Sequence, residues 1–202
     1  IGVVGMAWLT RRMRTITAIL GGMFFTILGI LVAGFTMNAY ILIAGIALFS
    51  LGEMTIGPKK SEYLALIAPP GKLGLYLGYV NIPVGLGVFV GSKIAGFLYG
   101  NWGEKATLAL KYLAQHTPLG EGKNWDGKAS TLEATLGITR PQAMLELQAV
   151  TGMDPSQATQ VLWNTYHPQY YVWIPFAAIG LAAAIALAIF GQMAKKWKDM
   201  NA

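Results

Sequence analysis

FSLGEMTIGPKKSEYLALIAPPGKLGLYLGYVNIP, residues 49–83, is the stretch whose reading decides the fold. One carboxylate, Glu53, stands late in an apolar run that begins near Tyr40. Gly57-Pro58-Lys59-Lys60 closes that run, and a second run starts after Pro69-Pro70-Gly71-Lys72. A charge near the middle of a membrane helix costs about 2.5–3.5 kcal/mol, so an ionisable residue there marks a pathway for substrate or protons. The alternative is a Glu held against a Lys, Arg or Tyr of a neighbouring helix for packing alone. Ser50, Glu53 and Gly57 recur at intervals of three and four and so share one helical face, with Gly57 leaving room beside the carboxylate. If the membrane segment is 40–58, Glu53 lies about four residues past its midpoint, roughly 6 Å toward the lysine end.

Upstream, TITAILGGMFFTILGILVAGFTM (residues 15–37) is charge-free and long enough to cross a hydrocarbon core of roughly 30 Å. Gly21, Gly22, Gly29 and Gly34 give it little side-chain bulk, which lets a neighbouring backbone approach. Asn38-Ala39-Tyr40 is a tight connection, so the span at 40–58 returns antiparallel, with a helical pattern able to continue toward Ala68. Residues 1–9 are apolar and precede Arg11, Arg12 and Arg14, the reverse of a secretory signal. They are expected to end a span that begins outside this sequence, which makes the chain a fragment.

Downstream, a third span is expected over 74–99. It contains Tyr79 and Asn81, a predicted kink at Pro83, and small residues at Gly85, Gly87, Gly91, Ser92 and Gly96. Proline in a spanning helix frees a carbonyl, so such helices bend and line cavities; a merely tolerated kink is the plainer reading. Lys93, near the end of this run, either reaches the interface or faces inward with a functional role. A last span is expected over 170–193, opened by Tyr166, Tyr170, Tyr171 and Trp173, an aromatic cluster of the interfacial kind, and followed by a tail at 194–202.

The whole chain agrees with a membrane class. Of 202 residues 54% are hydrophobic and only 12% charged, where soluble domains carry about a quarter. The net charge of +6 comes from short basic clusters flanking apolar runs, a topology signal, which sets nucleic acid aside. With no cysteine there is neither a disulfide framework nor a thiolate metal site.

Residues 100–168 change character to a polar, helix-forming insert. Helices are predicted near 103–115, 130–136, 140–151 and 155–166. Ser130 with Glu133 makes a capping-box pattern, Thr139-Arg140-Pro141 and Asp154-Pro155 read as N-caps before a first-turn proline, and Gly137 and Gly152 read as stops. His116 and His167 have no partner at metal-ligand spacing and read as surface residues; no metal site and no catalytic constellation is expected.

Arg11, Arg12, Arg14, Lys59, Lys60, Lys72, Lys195, Lys196 and Lys198 all fall at one set of helix ends. The positive-inside rule therefore puts those ends and the C-terminus in the cytoplasm, and the insert outside the cell membrane.

Gly52-Glu53 through Pro58, Glu62-Tyr63, Ala68-Pro69 and Leu75-Tyr76-Leu77-Gly78 resemble the C-terminal half of the major facilitator superfamily, most closely its proton-dependent oligopeptide transporter branch. That family has a Gly-Glu pair in its tenth helix, a Pro a few residues later and an Ala-Pro step before the eleventh. The likeness covers about 30 residues of the chain. It implies an all-α polytopic helix bundle, part of the C-terminal six-helix half, with the spans as the ninth to twelfth helices and an N-terminal half missing. It further implies symport of di- or tripeptides with H+ as the coupling ion, no other cofactor, and alternating access between two halves. Glu53 matches the family's tenth-helix glutamate, which serves the central cavity, the peptide amino terminus and coupling salt bridges. The insert of nearly 70 residues departs from the family's pattern.

Two other readings stand beside this one. The chain could belong to a carrier of another solute, such as a sugar, drug or organic anion. It could instead be a membrane-anchored binding or assembly protein that works through the insert. An enzyme is not expected, because no paired carboxylates, nucleophile-base pair or metal cluster is present. The candidate site is thus Glu53, Ser50, Asn81 and Tyr79 for substrate and proton coupling, with Gly57, Pro58 and Pro83 for kinking or packing; the partners are membrane lipid and a small solute.

Overall fold

The computed structural model describes Gly5 and residues 13–194. Apart from Gly5, the expected span end at 1–9 lies outside the described residues, as do Arg11, Arg12 and the tail beyond Ala194. Among the described residues the chain is helical throughout, without strands. It divides into two compact units, Ile1–Phe89 with Trp173–Ala202, and Val90–Val172.

The first unit is built on α1 (Thr15–Gly34) and α2 (Ala39–Ile67). Asn38 makes the turn between them: its side-chain oxygen accepts from the backbone N–H of Tyr40 at 2.9 Å and of Ile41 at 3.4 Å, satisfying two amides that have no partner inside the helix. The two helices then pack with their backbones nearly touching. A Cβ added to Gly22 would lie 2.7 Å from Ile56 Cγ1, and one added to Gly45 would lie 2.6 Å from the Ala33 amide nitrogen. Gly29 meets Phe49 and Gly45 in the same way, and Gly52 meets Thr26 and Gly22. As residue number rises along α1 it falls along α2, so the pair is antiparallel and Arg14 shares an end with Lys59 and Lys60. The hydroxyls of Thr26 and Thr55 donate to Gly22 O at 3.1 Å and Leu51 O at 2.8 Å within their own helices, so neither is stranded in an apolar interface.

The sequence predicts a span end near Pro58 and an optional extension; the helix continues through Pro58 to Ile67. It resumes as α3 (Leu73–Tyr79) and α4 (Asn81–Leu98). Between them Val80 keeps helical dihedrals, φ −55° and ψ −34°. Pro83 has no N–H to give the Tyr79 carbonyl, so the hydrogen-bond ladder is interrupted ahead of the proline.

The last helix, α9 (Pro168–Ala194), contributes Trp173–Ala194 to this unit and meets the other edge of α1 through side chains. Gly34 faces the Trp173 ring, Gly180 faces Ile27 and Gly191 faces Ile16. Steps of seven and eleven residues on one helix are matched by the same steps, reversed, on the other, which is what two antiparallel helices in fixed register require.

Within the second unit the end of α4 passes into a wide helical turn with i→i+5 bonding, Tyr99–Gly103, where the sequence predicts only the end of a span. The unit also comprises α5 (Lys105–His116), α6 (Leu132–Leu136), α7 (Arg140–Thr151) and α8 (Pro155–Tyr166). Leu108, Leu110, Leu113, Leu132, Leu147 and Leu162 form its buried core with Ala109, Ala143 and Ala158. Of the five cap and stop signals in the sequence, four appear in the structure. Asp154 accepts from the amides of Ser156 and Gln157, Gln142 Oε1 accepts from the Thr139 hydroxyl at 2.8 Å, and Gly137 and Gly152 stop their helices at φ +73° and +69°. The Ser130–Glu133 capping box is absent. Ser130 lies in a 3₁₀ turn, Ala129–Thr131, and the Glu133 carboxylate instead accepts from the Arg140 backbone at 2.8 Å. Arg140 also pairs through its guanidinium with Glu133 at 3.4 Å and Glu104 at 3.1 Å, and this long-range pairing outcompetes the local cap.

Gly52→Ala places a methyl on Thr26 and 2.5 Å from Gly22 O, and is expected to cost about 1–3 kcal/mol of stability. Gly57→Ala, with nothing within 4 Å, is expected to shift stability by less than about 1 kcal/mol. Thermal denaturation in detergent micelles compares the two; equal shifts would contradict the close approach of α1 and α2.

Candidate functional site

α2 presents three kinds of surface. Gly45, Phe49, Gly52 and Ile56 face α1, and the buried Lys59 continues their alternation of four and three. Glu53 is one residue beyond Gly52 and therefore stands about a quarter turn off that line. It is exposed, and it makes no hydrogen bond or ion pair with the described residues. Ser50, half-buried, and Gly57, whose missing side chain opens onto empty space, extend this flank above and below it. Pro58 is exposed on the next residue, inside the continuous helix.

Tyr79 and Asn81 stand on either side of the interruption at Val80. Tyr79 is exposed and its ring tilts against Tyr76 with centroids 5.8 Å apart; Asn81 is exposed as the first residue of α4, and Pro83 lies two residues on, also exposed. Among the described residues no hydrogen bond or ion pair joins Tyr79 or Asn81 to Glu53. All of α4 is free of buried residues, and Gly85, Gly87, Gly91 and Gly96 have nothing within 4 Å of where a Cβ would be. Lys93 is exposed on that helix.

Lys59 lies one step along from Ile56 on the same helical line, although its sequence context reads only as a topology signal. It is buried, and its ammonium is 2.9 Å from Glu62, which remains half-exposed. The alternation Gly45, Phe49, Gly52, Ile56, Lys59 carries this placement in the sequence, once α1 is known to lie along it. Chemically, the flank offers a carboxylate unpaired among the described residues, with space beside it, a few residues from a buried ammonium paired with Glu62. Such a carboxylate can accept a proton, an ammonium or a guanidinium; no group of three or more metal-ligating side chains occurs among the described residues.

Four helices are long and apolar enough to cross a membrane: Thr15–Gly34, Ala39–Ile67, the run beginning at Leu73, and Pro168–Ala194. Fold and composition together define an integral membrane protein of the all-helical class. No protein-family model, curated protein or solved structure matches the chain.

Removing each partner of the Lys59–Glu62 pair is expected to have unequal effects. Glu62→Gln leaves a buried ammonium without its counter-ion, whereas Lys59→Met leaves only a half-exposed carboxylate. Denaturation midpoints in micelles should therefore fall further for Glu62→Gln, by roughly 1 kcal/mol or more; the reverse order would place Lys59 in contact with solvent.

Proposed function

We propose that this chain forms part of a secondary active transporter of the major facilitator type, a proton-coupled symporter of di- or tripeptides that works by alternating access. The observation that carries the proposal is Glu53 itself: an exposed carboxylate on a flank of a membrane helix, with Gly57 beside it and no partner among the described residues. In a bilayer such a group is costly unless a water-filled cavity, a proton or a cation serves it. A neighbouring helix half that brings a cation near Glu53 in one state and withdraws it in another changes its proton affinity, which is the coupling step such a carrier needs. The Gly-Glu and Ala-Pro pattern is what favours the peptide branch over other solutes.

The antiparallel α1–α2 pair supports the topology, since it gathers Arg14, Lys59 and Lys60 at one end and the charge-free Asn38 turn at the other. In this reading the basic ends are cytoplasmic, in the cell membrane, and residues 100–168 are an extracytoplasmic insert. The separate leucine core of Val90–Val172 favours a second role for that unit as a binding module.

Proteoliposomes of the full-length protein are expected to accumulate a labelled dipeptide under an inward proton gradient and to lose it when the gradient is dissipated. Glu53→Gln is expected to reduce accumulation to passive equilibration without changing the elution profile of the purified protein. Wild-type accumulation in that variant would remove Glu53 from the mechanism.

A further inference from the structure

The second unit carries an open cleft of about 600 Å³, within the range of small-molecule sites. Its walls come from distant parts of the chain: Trp102 in the wide turn, Lys111 and Gln115 on α5, Trp125 in the loop beyond α5, Tyr166 at the end of α8 and Tyr171 on the first turn of α9. His167 brings the last two together. It adopts left-handed dihedrals, φ 47° and ψ 52°, an uncommon conformation for a residue other than glycine, and so turns α8 directly into α9.

The cavity is rich in donors and holds no carboxylate. Lys111 is half-buried; its ammonium gives one proton to the Asn101 carbonyl at 2.7 Å and has two left, with no acidic side chain in the lining. Glu104, the acidic residue at the start of α5, is committed to Thr107 at 2.7 Å and Arg140 at 3.1 Å. The Tyr166 hydroxyl donates to Gln115 Oε1 at 2.7 Å, which fixes that amide and leaves its NH2 as a further donor. Burial, and secondarily Tyr112, pushes the Tyr166 hydroxyl well above its ordinary range, so it remains a neutral donor. Beside these groups Trp102 and Tyr171 stack with centroids 5.8 Å apart and planes within 16°, giving a flat apolar wall. Burial lowers the pKa of the Lys111 ammonium, and an ammonium partly taken from water without a carboxylate beside it gains most from an anion.

We propose that this cavity binds a small organic carboxylate with a planar or apolar body, the carboxylate on Lys111 and Gln115 and the body against Trp102 and Tyr171. The site stands independently of the transport reading, because binding needs no gradient and no residue of α2.

The test is calorimetric titration of the protein, in nanodiscs of zwitterionic phosphatidylcholine, with 3-phenylpropanoate and with its neutral amide. The acid is expected to bind saturably and the amide roughly tenfold or more weakly. Lys111→Met is expected to abolish that preference, Lys111→Arg to keep it, and Trp102→Ala to weaken acid and amide alike. Equal affinity for acid and amide, no saturable binding, or binding indifferent to both Lys111→Met and Trp102→Ala overturns the proposal. Repeating the titration with phosphatidylglycerol in the nanodisc separates two sources of anion. Unchanged affinity keeps the assignment to a soluble carboxylate, and lost binding gives the donors to a lipid phosphate and overturns it.

Discussion

The close approach of α1 and α2 is the constraint on which the first unit depends. Lipid tails are as apolar as leucine, so burying large aliphatic side chains between two membrane helices gains little; dispersion at short range has to hold them, and short range requires glycine. Gly22 and Gly29 on one helix, Gly45 and Gly52 on the other, fix both the separation and the register. Register in turn decides orientation about the helix axis. With Gly52 on the line of contact, Glu53 must project to the side, away from α1. α9 stands differently against α1, touching through Trp173, Ile27 and Ile16, whose side chains hold the two backbones farther apart.

The second unit follows the opposite rule within the same chain. Its interior is leucine, and full burial of each is worth about 1.5–3 kcal/mol in water. Helices of twelve residues such as α5, α7 and α8 are marginal in isolation, and the caps at Thr139 and Asp154 with the glycine stops at 137 and 152 restrict where they begin and end. Lys123 adds to this by donating to the last carbonyl of α6, Leu136 O, at 3.0 Å. A leucine-cored stretch and a glycine-packed apolar stretch thus meet in one sequence.

What the sequence displays is local. The apolar runs that become α1, α2 and α9, the Asn38 turn, and the caps and stops of α7 and α8 are all written within a few neighbouring residues, and the helices form where those patterns lie. The flank shared by Ser50, Glu53 and Gly57 is equally local. What the pattern does not display depends on distant partners. Glu133 has the spacing of a cap, but Arg140 and Glu104 claim the same group of charges. Lys59 reads as a flanking charge until α1 is laid along it. The wide turn at Tyr99–Gly103 carries no signature that separates it from an ordinary helix end, although Asn101 there donates to Phe97 O at 2.8 Å and offers its own carbonyl to Lys111. The cavity draws on residues as far apart as Trp102 and Tyr171, so no window along the chain contains it.

The stacked rings of Trp102 and Tyr171 and the contact of Gly103 with Val172 join the two ends of the polar unit. The cost of closing a loop rises only slowly with its length, so a chain of about 70 residues that carries its own leucine core can bring residues 102 and 171 together. The aromatic clasp thus closes this stretch upon itself.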